Sequence, residues 1–416
     1  MPRVVACRRR GLLLVGLALG VGLLTWFLLS SRSVATSTPE VAAFLQQHWR
    51  VPIPLQGPPP AAFSPLEASL QPRDCGVCHP QQYQDWQSSL HSQSMSPGVY
   101  GQLLAMEATD PATYTLCSTC HAPLSEQLPF LEEAGTYRPN AAFDPQLQQQ
   151  GLVCAACHVR SHRRFGPPRR TDLPPLPPEA SLPHGGFVAH VAFERSEFCR
   201  SCHQFEPGDF ALNGKLIENT YEEWRQSPYA RQGVQCQHCH MPERRHLWRG
   251  IHDPQMVKQA LTVAVTLNAA AYQPGDRLQA VITVTNSGAG HFLPTYVTPK
   301  IFVFASLLDA RGEVLEGSTQ QAVIGREVTL DLSQELYDTR IPPKQSRAFT
   351  YEHPVPPEAA RLQVRLVVHP DHFYERFFTA MLEDGSEGPG RAYLEEALRR
   401  TQRSSFVVFD QTFPLR

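Results

Sequence analysis

The chain has 416 residues, 42% hydrophobic and 18% charged, with a formal net charge of −2. That length has room for two or three domains, and the hydrophobic content is enough to bury a core. Ten of the 11 cysteines fall in one repeated motif and only Cys7 stands outside it, which excludes a framework of structural disulfides.

The first 35 residues hold five Arg and no acid, leaving 32 basic against 39 acidic groups, a net of −7, for the rest. An acidic body favours basic protein partners and disfavours nucleic acid. Arg8-Arg9-Arg10 precedes twenty uncharged, mostly apolar residues, Gly11 to Ser30. A run of that length behind a basic flank predicts an N-terminal signal anchor, a transmembrane helix over 1–35 with the remainder outside the cytoplasm. Cleavage after Ser33-Val34-Ala35, giving a soluble periplasmic protein, is the alternative. Residues 36–72 then read as a proline-rich tether. A short helical piece from Val41 to Trp49, with a solvated His48, leads into the prolines at 52, 54 and 58–60.

Between residues 75 and 240 the pattern Cys-x-x-Cys-His occurs five times: Cys75–Cys78–His79, Cys117–Cys120–His121, Cys154–Cys157–His158, Cys199–Cys202–His203 and Cys236–Cys239–His240. Two thiols three positions apart can each add to one vinyl group of a haem, and the following imidazole reaches the iron. Zinc ribbons also use Cys-x-x-Cys, but they do not require a histidine directly after the second cysteine. With 17 His in the chain, five chance placements have a probability on the order of 10⁻⁷. The motifs start 42, 37, 45 and 37 residues apart, too irregular for a solenoid. Residues 73–255 are therefore expected to form a pentahaem domain of short helices and coil packed on five covalent haems c. The prolines from Pro167 to Pro178 mark an exposed loop within it. The excess of Arg, 33 against four Lys, suits paired hydrogen bonds to haem propionates, although codon bias would give the same ratio.

The second axial ligand decides what each iron can do. A second His closes it for electron transfer, while an open face lets small molecules bind. The candidates outside the motifs are His91, His184, His190, His246, His252 and His291. Tyr83-x-x-Trp86-x-x-Ser89-x-His91 is echoed by Tyr221-x-x-Trp224-x-x-Ser227-x-Tyr229, where tyrosine replaces the expected histidine. Gly288 and Gly290 beside His291 would let the backbone approach a flat cofactor.

From about Gln259 the cysteines stop and apolar residues alternate, as in Leu261–Val265, Leu278–Val284, Ile301–Ala305, Arg361–Val368 and Phe406–Phe409. Residues 256–416 are expected to be an antiparallel β-sandwich, with a helix near 391–400 before the last strand.

The Cys75–His79 motif with Trp86, Ser89 and His91, and Trp224-x-x-Ser227 leading into Gly233-Val234-Gln235-Cys236 through Pro242, resemble the periplasmic multihaem cytochromes c related to tetrahaem cytochrome c-554. The resemblance covers about 73–255, and Gly290-His291-x-x-Pro294-Thr295 looks like an element of β-domains attached to such proteins. It implies an electron carrier with His91 and His291 as distal ligands. Its partners would be redox proteins or a quinol-side membrane donor. The departure at Tyr229 leaves a second expectation: an oxidoreductase acting on a small nitrogen or sulfur oxyspecies at one five-coordinate haem.

Overall fold

The computed structural model describes residues 38–416 except 108, 173, 175–181 and 386–387. The expected membrane span and cleavage site lie outside the described residues, as does part of the proline loop. Among the described residues, no helix is long and apolar enough to cross a membrane.

The segment expected as a tether is instead built into the fold. Helix α1 (Pro39–His48), capped by Thr38, buries Val41 and His48. The His48 ring bonds the Cys157 carbonyl at 2.9 Å, and Phe44 stacks on it. Ile53, fully buried, exchanges backbone hydrogen bonds with Pro123 and Ser125. The prolines fix an extended path, but apolar residues between them find a surface to cover.

The haem-motif region consists of short helices and coil, as expected. Helices α2 (Pro80–Gln87), α3 (Pro97–Met106) and α4 (Pro111–His121) each start on a proline at the first helical position, where its missing N–H costs nothing. Helix α5 (Thr220–Arg225) carries the second aromatic copy. Small hairpins at 130–139 and 211–216 fill the connections.

Residues 261–414 form two antiparallel sheets: β1 (Leu261–Leu267), β2 (Arg277–Asn286), β3 (Lys300–Leu308), β4 (Gln320–Val328), β5 (Glu335–Asp338), β6 (Ser346–Pro354), β7 (Arg361–His369) and β8 (Phe406–Pro414). The strand orders are β6-β2-β1 and β5-β4-β3-β7-β8. Alternate residues of β2 (Leu278, Ala280, Ile282, Val284) meet those of β3 (Ile301, Val303, Ala305, Leu307) and β7 (Leu362, Val364, Leu366, Val368) in one buried core. Each buried Val, Leu or Ile among them contributes about 1.5–3 kcal/mol by leaving water.

Between β7 and β8 the chain leaves the sheet as α6 (His372–Asp384) and α7 (Arg391–Thr401). These helices pack on α3, where glycine is required. A Cβ on Gly390 would lie 2.0 Å from the Gly101 carbonyl oxygen, and one on Gly98 would lie 2.5 Å from Phe378. The β-domain thus grips the haem-motif region through a helical arm. A second grip uses β4: buried Arg326 donates to the carbonyls of Leu212, Lys215 and Leu216 in the 211–216 hairpin.

Candidate haem centre

Each motif folds as one helical turn. His79 N–H bonds the Cys75 carbonyl at 2.9 Å and His203 N–H bonds that of Cys199 at 3.1 Å. That turn sets the two cysteines on one side and the imidazole one turn on. The two tryptophans hold motif entrances in place. Trp86 Nε1 donates to the Leu152 carbonyl and Trp224 Nε1 to that of Val234, both at 2.8 Å. Each acceptor lies two residues before a motif cysteine, so the aromatic echo seen in the sequence is a repeated clamp.

All ten motif cysteines and all five motif histidines line one continuous cavity of about 2790 Å³ with a mostly apolar wall. A single-ligand pocket has roughly 300–1,000 Å³, so this space suits several large ligands. Among the described residues no three His, Cys, Asp or Glu side chains converge as a zinc site needs. Thiols of different motifs are neighbours instead: Cys75 with Cys154, Cys120 with Cys202, and Cys199 with Cys236. With haem attached these sulfurs would become thioethers.

Three pairs of imidazoles face each other across the cavity. Ring centroids are 6.4 Å apart for His91 and His203, 6.2 Å for His158 and His246, and 6.3 Å for His240 and His291. Metal–nitrogen bonds of about 2 Å on both sides, plus the reach from each nitrogen to its ring centre, give about 6 Å. The pairs therefore fit an iron between them. His184 lies near His79, with its backbone N–H on Glu67 and its Nδ1 2.9 Å from the Gly186 oxygen. Burial, then neighbouring imidazoles, pushes His91 down to about 3 and His158, His203 and His291 to about 4. They are neutral at pH 7, the form that binds a metal.

His121 differs. Its Nδ1 bonds the Ser94 carbonyl at 2.6 Å, and among the described residues no second imidazole faces it. His190 and His252 are not brought to such a position. His190 stacks on Phe44 at 3.7 Å and caps Ala192, and His252 lies 2.9 Å from Asp371. Tyr229 lines the cavity, but its hydroxyl is committed elsewhere, donating to the Ser287 carbonyl. Both glycines beside His291 line the cavity; Gly288 is also needed for protein packing, since a Cβ there would meet the Gln259 carbonyl at 2.2 Å, whereas one on Gly290 would make ordinary contact with Trp224 and Tyr229.

Several residues that hold these rings carried no sequence signal. Buried Asp85 pairs with Arg245 at 2.7 Å and accepts the backbone N–H of His246 at 3.0 Å. Buried Glu223 accepts from Arg340 at 2.9 Å, Phe292 N–H at 3.1 Å and Thr295 at 2.8 Å, fixing the loop that carries His291. In the same loop Tyr296 Oη is 2.7 Å from His203 Nδ1. The Nδ1 atoms of His121, His158 and His240 bond backbone carbonyls instead.

Repeated attachment motifs, one shared apolar cavity and facing neutral imidazoles define a multihaem c-type cytochrome. The sequence model of the family described as cytochrome c554 and c-prime matches residues 74–159, and the chain is a multihaem cytochrome c related to that family. In fold it is similar to the crystal structure of a penta-heme cytochrome c552 from Thermochromatium tepidum. The TM-score is 0.57 at 20% identity, over 84% of this chain and 100% of that one. The sporulation control protein Spo0M from Bacillus subtilis overlaps 26% of this chain and 42% of its own, with 16% identity and a TM-score of 0.13, too low to carry an argument. No curated protein matches the sequence.

Proposed function

We propose that the chain binds five haems c and carries electrons between redox partners outside the cytoplasm. The observation that carries this reading is that four of the five motif histidines have a second imidazole beside or facing them. On that basis His184 serves with His79, His246 with His158, His91 with His203 and His291 with His240. The haems supply one-electron chemistry, and the protein keeps four of the irons closed and the porphyrin edges adjacent. The sulfur contacts support an order in which motifs 1 and 3, 2 and 4, and 4 and 5 are neighbours. Cys157 beside Cys199 and Cys202 joins motifs 3 and 4. The apolar run 11–30 supports anchoring on the periplasmic face of an inner membrane, within reach of a quinol-side donor, and the acidic body supports basic partner proteins.

A second reading rests on His121. With no imidazole facing it among the described residues, the second-motif haem would keep one face for a small nitrogen or sulfur oxyspecies. Low-temperature EPR of the oxidised holoprotein, with haem quantified in the same sample, tests both. Four low-spin haems and one high-spin haem are expected. Five low-spin signals would remove the open site, and fewer than five haems would refute the pentahaem reading. If the high-spin signal converts on adding nitrite or sulfite, the open haem binds that species. No conversion by either leaves the protein an electron carrier.

A further inference from the structure

Glu218 lies deep in the protein between the second and fourth motifs, and its hydrogen bonds require one more proton than its neighbours supply. Thr220 Oγ1 is 2.9 Å from Glu218 Oε1 and 2.7 Å from Thr295 Oγ1, and Thr295 Oγ1 is 2.8 Å from Glu223 Oε2. These are three oxygen–oxygen contacts, but the two threonines bring two hydrogens. With both carboxylates ionised, one contact has lone pairs facing each other and no hydrogen between them. A proton on either carboxyl completes the set. Burial raises the Glu223 carboxyl as well, but it faces the Arg340 guanidinium at 2.9 Å and the Phe292 N–H, which favour its anion, whereas Glu218 has no cation beside it. The proton therefore belongs on Glu218, which then donates to Thr220, as Thr220 does to Thr295 and Thr295 to Glu223.

The titratable groups facing Glu218 are Glu223 on α5, Tyr296 in the His291 loop and Tyr374 on α6, with the Cys120 and Cys202 sulfurs, which haem attachment would make uncharged thioethers. None is a cation. Burial accordingly pushes Glu218 up to about 8, against hydrogen bonds from Thr220. Thr220 also contacts the Tyr296 hydroxyl, whose other partner is His203. The carboxyl is thus tied to the fourth-motif haem by its position beside Cys202 and by the path Thr220–Tyr296–His203.

We propose that Glu218 is a redox-linked proton-binding site serving the haem attached at Cys199 and Cys202. One electron arrives from a neighbouring haem, or from dithionite in a titration. One proton from solvent then joins the Glu218 carboxylate, and both leave on oxidation. The direction follows from charge: oxidation adds a positive charge nearby, which favours the carboxylate, and reduction removes it. The inference rests on the pentahaem reading.

Potentiometric titration of the holoprotein followed by EPR and visible spectra, repeated over about two pH units on either side of the Glu218 value, tests it. One of the five potentials should fall with rising pH. One proton per electron is a tenfold change per pH unit, about 59 mV for a one-electron couple. Glu218→Gln keeps a neutral donor to Thr220 and should abolish that slope while leaving the haem content at five. A slope that survives in Glu218→Gln, or a flat wild-type profile, overturns the proposal. A haem count below five overturns the pentahaem reading instead. Should the variant fail to fold, the reduced-minus-oxidised infrared difference of the wild type decides. It should show a protonated carboxyl band that grows on reduction, and no such band means no redox-linked proton.

Discussion

Glu223→Ala tests whether the β-domain acts as part of the haem site. Glu223 and Arg340 side chains are 3% and 4% exposed. Breaking a buried pair by removing one partner costs about 3–5 kcal/mol. Here Arg340 keeps Asp338 through contacts of 2.9 Å, so the lower end, about 3 kcal/mol, is expected. For a domain of this size each kcal/mol moves the midpoint by about 2–4 °C, so β-domain unfolding should fall by about 6–12 °C. The spectroscopic effect should be narrower. Phe292 and Thr295 lose their acceptor, and the loop between them carries His291 and Tyr296. The haems of the fifth and fourth motifs should therefore shift in EPR and potential, with the other three unchanged. Glu223→Gln, which can keep the one oxygen that Phe292 and Thr295 share but loses the charge and the second acceptor facing Arg340, should fall between wild type and Glu223→Ala. An unaltered midpoint, or an equal change at all five haems, would refute the argument.

His291→Met should perturb one haem, seen as a single altered low-spin EPR signal, whereas His252→Ala should leave every haem signal unchanged because His252 pairs with Asp371. Gly390→Ala places a methyl against the backbone of Gly101. The resulting overpacking should cost at least about 1–3 kcal/mol and expose the α6–α7 arm to limited proteolysis without changing the haem count. Expression without haem attachment should leave 73–255 protease-sensitive while 261–414 survives as a resistant fragment. The β core is built from its own residues, and the motif cavity has no comparable filling.

The Cys-x-x-Cys-His motifs are legible because covalent haem attachment would fix their spacing, and no packing context can disguise it. The alternating strands β2, β3 and β7 were legible for a related reason: every second residue enters one core. Strand β4 was hidden because it buries Arg326 and Glu327, so its inward positions look polar. Strand β6 offers mainly Tyr351 to the core and carries little periodic signal. The distal imidazoles were legible only as a pool of candidates. Which of them face an iron position depends on contacts between segments far apart in the chain, such as His91 with His203. His190 looked as suitable as His184, yet stacking on Phe44 from a segment expected to be a tether takes it away. Tyr229 drew attention as a missing ligand, while among the described residues the motif histidine with no second imidazole beside or facing it is His121.

The β-domain's contribution is concentrated in one loop. Residues 291–296 bring an imidazole to His240 and a phenol to His203, and the loop is held by a carboxylate from the haem-motif region and a guanidinium from the β-domain. A haem pocket closed only by its own helices would need neither the Glu223–Arg340 pair nor the chain of Arg340, Asp338, Lys215, Glu335 and Arg326 that continues from it. Buried charges of this kind are weak sources of stability compared with apolar packing. What they fix is registry: an arginine that must meet two carboxylates has few alternative seats, so the loop is delivered to one position. On the proposed ligand pairing, ligation at the fifth-motif haem and tuning at the fourth would be coupled through the same six residues. A substitution that loosens the loop should alter both haems together, whereas one that removes only His291 should alter one. That contrast separates a loop that positions two sites from a loop that merely carries one ligand.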